Sequence, residues 1–215
     1  RRFDADFITI KKLIDEGAIG EVFSYESFVG GYSKPCSYWH SDAQVSGGAI
    51  FDWGSHFIDQ ILAIIPSEVD TVSAINQKRV WKHVTNADHA DVLITFVNGA
   101  RASFTNSDLA AARKPKFYIL GTTGAITGNW DPAAASAPAD LPAILTVHRA
   151  DGTDEVIPNS LANPYSFHQS VVAYLNHKTP MNVTTRQSRD VVAIMQAAEE
   201  SALSNGRSVI PLLMQ

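Results

Sequence analysis

The feature that most constrains this chain is a pair of alternating segments joined by a two-residue turn signal. Residues 89–107 read HADVLITFVNGARASFTNS, with apolar residues at alternate positions on both sides of Asn98-Gly99. An Asn-Gly pair flanked by such alternation is the strongest short-range signal of a β-hairpin. A second hairpin is predicted over 143–158, with its turn at Asp151-Gly152. Hairpins pair their strands antiparallel, so the sheet is predicted to be largely antiparallel and not doubly wound.

Helical periodicity appears before and after these strands. Apolar residues recur every three or four positions over 4–17 and again over 50–65, where Pro66 ends the run. Two more helices are predicted near the end of the chain, one starting at Asn163-Pro164 and one at Thr184 or Thr185, followed by a short strand over 207–211. The predicted class is therefore α+β, an open, largely antiparallel β-sheet with helices packed on one face.

Composition excludes several classes of protein. The 215 residues carry a net charge of −5, and no run of Lys and Arg suggests nucleic acid as a partner. The single cysteine, Cys36, excludes an internal disulfide and predicts a reducing, cytoplasmic location. The longest apolar run, 61–65, is far too short to cross a membrane. A low-complexity surface loop is predicted over 133–142.

The predicted helix over 50–65 also carries a polar stripe. Asp52 and His56 are four residues apart, and Asp59 and Gln60 follow at helical spacing. A carboxylate beside an imidazole can orient it and raise its pKa, which would make His56 a usable acid/base near neutral pH. A D-x-x-x-H pair alone is more often a solvated helix face. The preceding Gly47-Gly48 and the apolar neighbours weaken that interpretation.

Other kinds of site find less support. The histidines are scattered, and one cysteine supplies no thiolate cluster, so no metal site is expected. No G-x-S-x-G motif suggests a nucleophilic serine. In the long loop before the glycine pair, Trp39, His40 and Asp42 could line a sugar or polyol pocket. They could equally anchor the loop.

Several stretches together resemble one family. RRFDADFITIKKLIDEGAIGEV is followed by SGGAIFDWGSHFIDQIL, which carries a glycine pair, an aspartate, a histidine four residues later and an aspartate three residues beyond. FYILGTTGAI is similar to a G-T-x-G strand and turn, and residues 167–211 are similar to two closing helices. In this order, and over nearly the whole chain, they resemble the Gfo/Idh/MocA family of NAD(P)-dependent oxidoreductases.

The resemblance implies a role for each candidate residue. His56 matches the residue that takes the proton from a substrate hydroxyl, and Asp52 matches its carboxylate partner. Trp39 and His40 stand where members often have Trp-Arg, so the histidine removes a fixed cation from the pocket. The implied substrate is a sugar, a polyol or a related hydroxy compound. The open sheet face would pair with another subunit in a homo-oligomer, a dimer or a tetramer.

The resemblance covers only part of a family member. Members also have an N-terminal Rossmann domain with G-x-G-x-x-G and an E-K-P motif with a catalytic lysine. Neither motif is present, and Arg113-Lys114-Pro115 lacks the glutamate. Residues 1–215 are therefore expected to be a single C-terminal domain, with the NAD or NADP site mainly on the absent domain. The isolated fragment is expected to be inactive.

Two alternatives to a dehydrogenase domain stay open. A chain without a nucleotide domain could serve as a non-catalytic binding or oligomerisation domain. The parent protein could also use NAD for glycoside cleavage through a transient oxidation. The sequence does not discriminate among these functions.

Overall fold

The computed structural model describes residues 1–131 and 141–213. The low-complexity loop predicted over 133–142 lies almost wholly outside these ranges. The helices are α1 Ala5–Asp15, α2 Ala43–Ser46, α3 Ala49–Ile64, α4 Ser166–His177 and α5 Thr185–Leu203. The strands are β1 Val22–Gly30, β2 Val69–Gln77, β3 His89–Phe96, β4 Arg101–Ser107, β5 Phe117–Gly121, β6 Gly124–Asn129, β7 Ile144–Arg149 and β8 Asp154–Ile157.

Within the described residues, the strands form one eight-stranded sheet in the order β2-β3-β4-β1-β5-β6-β7-β8. Each neighbouring pair is antiparallel except β1 and β4, which run parallel in the middle of the sheet. Both predicted hairpins are present, with Gly99 and Gly152 in the left-handed conformation at their turns. The predicted α+β class is confirmed. The parallel pair is a feature that hairpin reasoning did not predict.

The two faces of the sheet differ sharply in burial. Residues opposite each other on neighbouring strands share a face. One row across the sheet is buried until it reaches β8 and consists of Val72, Ile94, Ala102, Tyr25, Ile119, Ile126, Val147 and Glu155. The adjacent row is partly or fully exposed and consists of Ser73, Leu93, Ser103, Glu26, Tyr118, Thr127, Thr146 and Val156. The helices therefore cover the first face and leave the second open.

Helices α3 and α5 form the layer over the first half of the sheet. Helix α3 packs on β1, β3 and β4, while α5 packs on β2 and on α3. Gly54 faces Phe104 and Met195, so a side chain there would crowd both the sheet and α5. The lack of a side chain at Gly54 therefore lets α3 lie close to both β4 and α5. None of the helices among the described residues is long and apolar enough to cross a membrane.

Two boundaries differ from prediction. Helix α4 begins at Ser166, because Asn163 uses its side chain to accept a hydrogen bond from the Tyr165 N–H in a turn that precedes the helix. The predicted strand over 207–211 is reduced to a single bridge between Val209 and Val72. By contrast, α5 starts as predicted, since the Thr184 hydroxyl and the Gln187 side chain form a capping box.

Candidate active site

The candidate site lies beside the C-terminal ends of the parallel strands β1 and β4, in the middle of the sheet. The loops that follow parallel strands meet at their carboxyl ends, which is the usual place for a ligand site in such sheets. Gly30 ends β1 with φ of +134°, and a Cβ there would lie 1.9 Å from the Ser107 carbonyl oxygen. That close approach fixes the start of the long loop 31–48. The first turn of α3 lies near the same strand ends, where the Asn106 side chain donates to the Ala49 carbonyl oxygen.

The polar stripe of α3 divides into parts with different partners. At its C-terminal end, Asp59 forms an ion pair with Arg2, with one N–O distance of 2.9 Å. Gln60 is buried and donates to the Arg1 carbonyl oxygen at 3.2 Å. Asp59 and Gln60 therefore hold the first residues of the chain on α3. Asp59 also lines the cavity that contains His56.

Asp52 pairs with His40 from the long loop. His40 Nε2 lies 3.2 Å from Asp52 Oδ1, and both side chains are partly exposed. Within the described residues, the structure gives no hydrogen bond between Asp52 and His56. The sequence placed Asp52 and His40 in one site but paired the aspartate with the other histidine.

His56 lines a cavity of about 430 Å³ between the start of the chain, α3, α4 and α5. Its walls are largely apolar and include Phe167, Val192 and Met195. Burial, then the positive charges of the terminal amino group and Arg1, lower the pKa of His56 to about 4. The prediction of a raised pKa is therefore wrong: Asp52 is held by His40, and burial disfavours the imidazolium. His56 is neutral at pH 7.

The loop 31–48 presents aromatic side chains beside Asp52. Tyr38 and Trp39 are about 60% exposed, and the Trp39 ring meets the His40 ring edge-on at 5.4 Å. They line an open cavity of about 330 Å³ together with His83. Asp42 also borders this cavity, but its carboxylate caps α2 and accepts from Thr85 at 3.2 Å. Asp42 therefore has a structural role in this structure, whereas Trp39 and His40 present free surface.

The long loop is supported by residues 78–88. Asp88 is buried and accepts from the backbone N–H groups of residues 79, 80 and 81 and from Lys78. Burial alone would raise the pKa of Asp88, but these donors lower it to about 2. Asn86 then donates to the His40 carbonyl oxygen at 3.0 Å. We call residues 78–88 the support loop, because it fixes the backbone that carries His40.

Asp108 is a further candidate residue that the sequence analysis did not name. It directly follows β4, and its carbonyl oxygen accepts from the Trp81 indole at 3.3 Å. Burial, followed by the negative charge of Asp88, raises the pKa of Asp108 to about 6, and Asp52 and His40 also act on it. A carboxyl group with such a pKa near other titratable groups is typical of functional sites. The sequence feature that could have identified Asp108 is its position directly after a strand. That position points to a site only when β1 and β4 are known to be parallel.

Two other features lie apart from these residues. Over residues 1–131 and 141–213, no group of three or more His, Cys, Asp or Glu side chains could hold a metal ion. A larger cavity of about 900 Å³ lies beyond the Arg2–Asp59 pair, next to α5 and Pro211. None of the predicted site residues lines it.

Comparison with known proteins decides the family. The model of the GFO/IDH/MocA C-terminal domain matches residues 7–127, which contain most of α1, the long loop, α3 and the first hairpin. The chain belongs to the Gfo/Idh/MocA family. The predicted resemblance is thereby confirmed.

One curated relative is the scyllo-inositol 2-dehydrogenase (NADP(+)) IolW of Bacillus subtilis (strain 168). It is 27% identical over 223 residues, which cover 94% of this chain and 60% of that protein. The Escherichia coli (strain K12) oxidoreductase YdgJ, described as uncharacterized, is 28% identical over 125 residues, or 58% of this chain and 35% of its own. The chain thus spans 60% or less of the length of these relatives.

Solved structures of other proteins share the fold. An NAD-binding protein from Listeria innocua is 27% identical, with a TM-score of 0.79, and the match covers 98% of this chain and 61% of that one. The protein yvaA of Bacillus subtilis superposes with a TM-score of 0.82 at 22% identity over 97% of this chain and 63% of its own. The Gfo/Idh/MocA chain described here is similar to one part of each.

Proposed function

We propose that this domain is the substrate-binding and proton-transferring half of an NAD(P)-dependent oxidoreductase that acts on a sugar, a polyol or a related hydroxy compound. The observation that carries the proposal is the position of His56. It is a neutral imidazole that lines an open cavity on α3, one helical turn beyond Asp52. An alcohol can be oxidised only if its hydroxyl proton has an acceptor within reach.

In the proposed reaction, His56 accepts the hydroxyl proton while the substrate carbon gives up a hydride. Because the His56 pKa is low, the imidazole is in the neutral, accepting form at pH 7. Asp52 accepts a hydrogen bond from a neighbouring substrate hydroxyl.

The nicotinamide nucleotide would supply the hydride acceptor when bound. Among the described residues, the surface proposed to contact this nucleotide is the apolar side of the His56 cavity, formed by Phe167, Val192 and Met195. The glycine turn over 121–124 joins β5 to β6 and not a strand to a helix, so it is no phosphate loop. The cofactor site is proposed to lie mainly on a separate nucleotide-binding domain.

The proposed substrate class rests on the loop 31–48. Exposed aromatic rings such as Trp39 offer flat apolar surface for sugar C–H groups, while Asp52 accepts from hydroxyls. IolW, by its name, acts on scyllo-inositol, which is a polyol. Trp39 and His40 are proposed to contact the substrate directly, with Asp42 holding their loop. The free Cys36 thiol supports a cytoplasmic location.

The test replaces His56 in a protein that contains this domain together with a nucleotide-binding domain. His56→Ala is expected to lower kcat by about a hundredfold or more, since general base catalysis contributes roughly that much. Cofactor binding, measured by fluorescence titration, should stay unchanged. His177→Ala, at the exposed end of α4, is the matched control. Unchanged NADH or NADPH formation in His56→Ala would contradict the assignment, and turnover without net formation would indicate transient oxidation.

A second candidate function is assembly, and the open sheet face favours it. This face carries exposed apolar side chains, including Ile75, Tyr118 and Val156 at 50%, 40% and 68% exposure. Exposed apolar surface on a sheet commonly marks an interface. We propose that a second copy of the chain packs there in a homodimer or tetramer. Tyr118→Glu with Val156→Glu should then give a monomer by light scattering, while a wild-type monomer would exclude assembly.

A further inference from the structure

Helix α4 carries its larger apolar side chains on one side. At about 3.6 residues per turn, five of them fall within half of the helix circumference. They are Phe167, Val171, Val172, Tyr174 and Leu175, with His168 among them. We call these five apolar residues the α4 stripe. An amphipathic helix in a folded domain normally buries such a stripe against the core.

In this structure the α4 stripe is largely exposed. Four of its members are between 42% and 63% exposed, and the fifth, Val171, is partly buried. The buried residue of α4 is Ser170, whose hydroxyl oxygen accepts a hydrogen bond from the Asn182 N–H at 2.8 Å. Ser170 belongs to the polar side of the helix. Helix α4 is therefore attached to the domain by its polar side, and its apolar side faces outward.

The composition of α4 does not suit a helix that faces water. Residues 166–177 read SFHQSVVAYLNH and contain no Asp, Glu, Lys or Arg. Helix α5 shows the ordinary arrangement, since its exposed positions include Arg186, Arg189 and Glu200. The core of a protein interface is depleted of charged residues and enriched in aromatic ones. The composition of α4 is therefore typical of a helix that lies in an interface.

The α4 stripe continues into the candidate active site. Phe167 belongs to the stripe and also lines the cavity of about 430 Å³ that contains His56. Val192 of α5 lines the same cavity and is 48% exposed. Hydride transfer requires the nicotinamide within contact distance of the substrate carbon. A domain that holds the nucleotide must therefore touch the rim of this cavity, where the stripe begins.

Two further observations favour such a domain over a second copy of the chain. The matches cover 60% of IolW and 61% of the Listeria innocua NAD-binding protein, so more than a third of each relative lies outside the part that this chain resembles. The surface proposed above for a second copy is the open sheet face, which lies across the sheet from α3 and α5. The α4 stripe instead borders a cavity on the side of those two helices.

We propose that the α4 stripe is the surface on which the nucleotide-binding domain docks, and that docking covers the cavity of His56. This inference rests on the proposed function, which places the hydride acceptor on that domain. The docked surface of the partner domain is apolar and uncharged where it meets Leu175. Phe167 lies at the boundary between the interface and the cavity. Removal of the stripe from water stabilises the docked arrangement.

The first experiment follows hydrogen exchange of backbone amides and needs no activity. It compares the 215-residue chain with a protein that contains this domain together with a nucleotide-binding domain. A docked partner suppresses local opening, so the α4 amides should exchange about tenfold or more slowly in the two-domain protein. The amides of β4, inside the sheet, are the control and should change little. Equal exchange of α4 in both proteins would overturn the inference, whether or not the two-domain protein oxidises a polyol.

The second experiment places a charge on the stripe. Leu175→Glu should leave the urea midpoint of the isolated chain unchanged, because that position is 63% exposed. In the two-domain protein it should return α4 exchange to the rate of the isolated chain and lower kcat/KM about tenfold or more, since the interface would bury an unpaired charge. Gln169→Glu adds the same charge to the exposed polar side of α4 and should change neither quantity. Equal effects of the two variants, or none from either, would contradict docking on the stripe.

A second copy is the alternative occupant, and sedimentation of the isolated chain tests it. The measurement uses the Tyr118→Glu and Val156→Glu double variant, in which the open sheet face is charged. Adding Leu175→Glu to this variant should leave its mass unchanged. If the double variant were a dimer and Leu175→Glu made it a monomer, a second copy would cover α4 and the proposed docking would be wrong.

Discussion

At the scale of single residues, His56 links the site to the stability of the domain. Its pKa is about 4 in the folded chain, against an ordinary value near 6.5, and burial is the main cause. Between these two pH values the unfolded chain binds a proton that the folded chain does not. The free energy of unfolding therefore decreases as the pH falls from about 6.5 to about 4. Above that window His56 is neutral in both states.

The first prediction is that His56→Gln removes this part of the pH dependence. Glutamine does not titrate, so the variant should lose less stability than the wild type between pH 7 and pH 5. Urea unfolding at the two pH values gives the comparison. His177→Gln is the control, because that histidine lies exposed at the end of α4 and should leave the dependence unchanged. An identical loss in His56→Gln and wild type would contradict the low pKa.

The sequence predicted which residues share the helix but not what each of them contacts. The spacing of Asp52 and His56 placed them on one helix, and α3 contains both. Their partners come from elsewhere, since His40 arrives from the long loop and Arg1 from the start of the chain. Periodicity reports only contacts within an element. The direction of the His56 pKa shift depended on burial, which the spacing could not show.

At the scale of elements, the helices and hairpins set by local sequence were predictable, whereas the elements set by long-range contacts were not. The hairpins and α3 were predictable because turn chemistry and periodicity lie within a few residues. The short helix α2 and the turn over 39–41 were missed, because the support loop holds them through Thr85 and Asn86. The parallel pairing of β1 with β4 likewise depends on residues about eighty positions apart.

The second prediction concerns the support loop. Asp88→Asn should destabilise the domain by about 1–3 kcal/mol, since a buried carboxylate with three backbone donors and Lys78 loses its charge. Urea unfolding at pH 7 measures this change. Asp70→Asn, at an exposed position of β2, is the control and should have little effect. The NMR chemical shifts of the His40 ring nitrogens should also change in Asp88→Asn. Unchanged shifts together with unchanged stability would show that the support loop does not hold His40.

At the scale of the whole molecule, one buried ion pair joins α1 to the far half of the sheet. Lys116 precedes β5, and its Nζ lies 2.6 Å from Asp6 Oδ2, with both side chains almost fully buried. The same Asp6 oxygen accepts from the Ala143 N–H just before β7. The Lys116 ammonium also lies over the ring of Phe117. Asp6 thereby connects the first helix with two segments more than a hundred residues away.

The third prediction is that breaking this pair destabilises the whole fold. Lys116→Met should cost about 3–5 kcal/mol, because it leaves the Asp6 carboxylate buried without its cation. Lys11→Met, which removes an exposed partner of Asp15, should cost close to nothing. Adding Asp6→Asn to Lys116→Met should recover part of the loss, since the uncompensated charge is then gone. Additive losses in the double variant would show that the pair contributes no coupling.

The same variants test whether α1 belongs to the cooperative unit. Phe7 and Ile10 of α1 are buried in the core, so the helix should unfold together with the sheet. Far-UV circular dichroism follows the helices, and tryptophan fluorescence follows Trp53 and Trp130, which pack against that core. The two probes should give coincident transitions in the wild type and in Lys116→Met, both at lower urea in the variant. If the circular dichroism signal fell at lower urea than the fluorescence signal in Lys116→Met alone, α1 would unfold separately from the sheet once the ion pair is broken. The contacts of Arg1 and Arg2 with α3 should then be lost at the same urea concentration as α1.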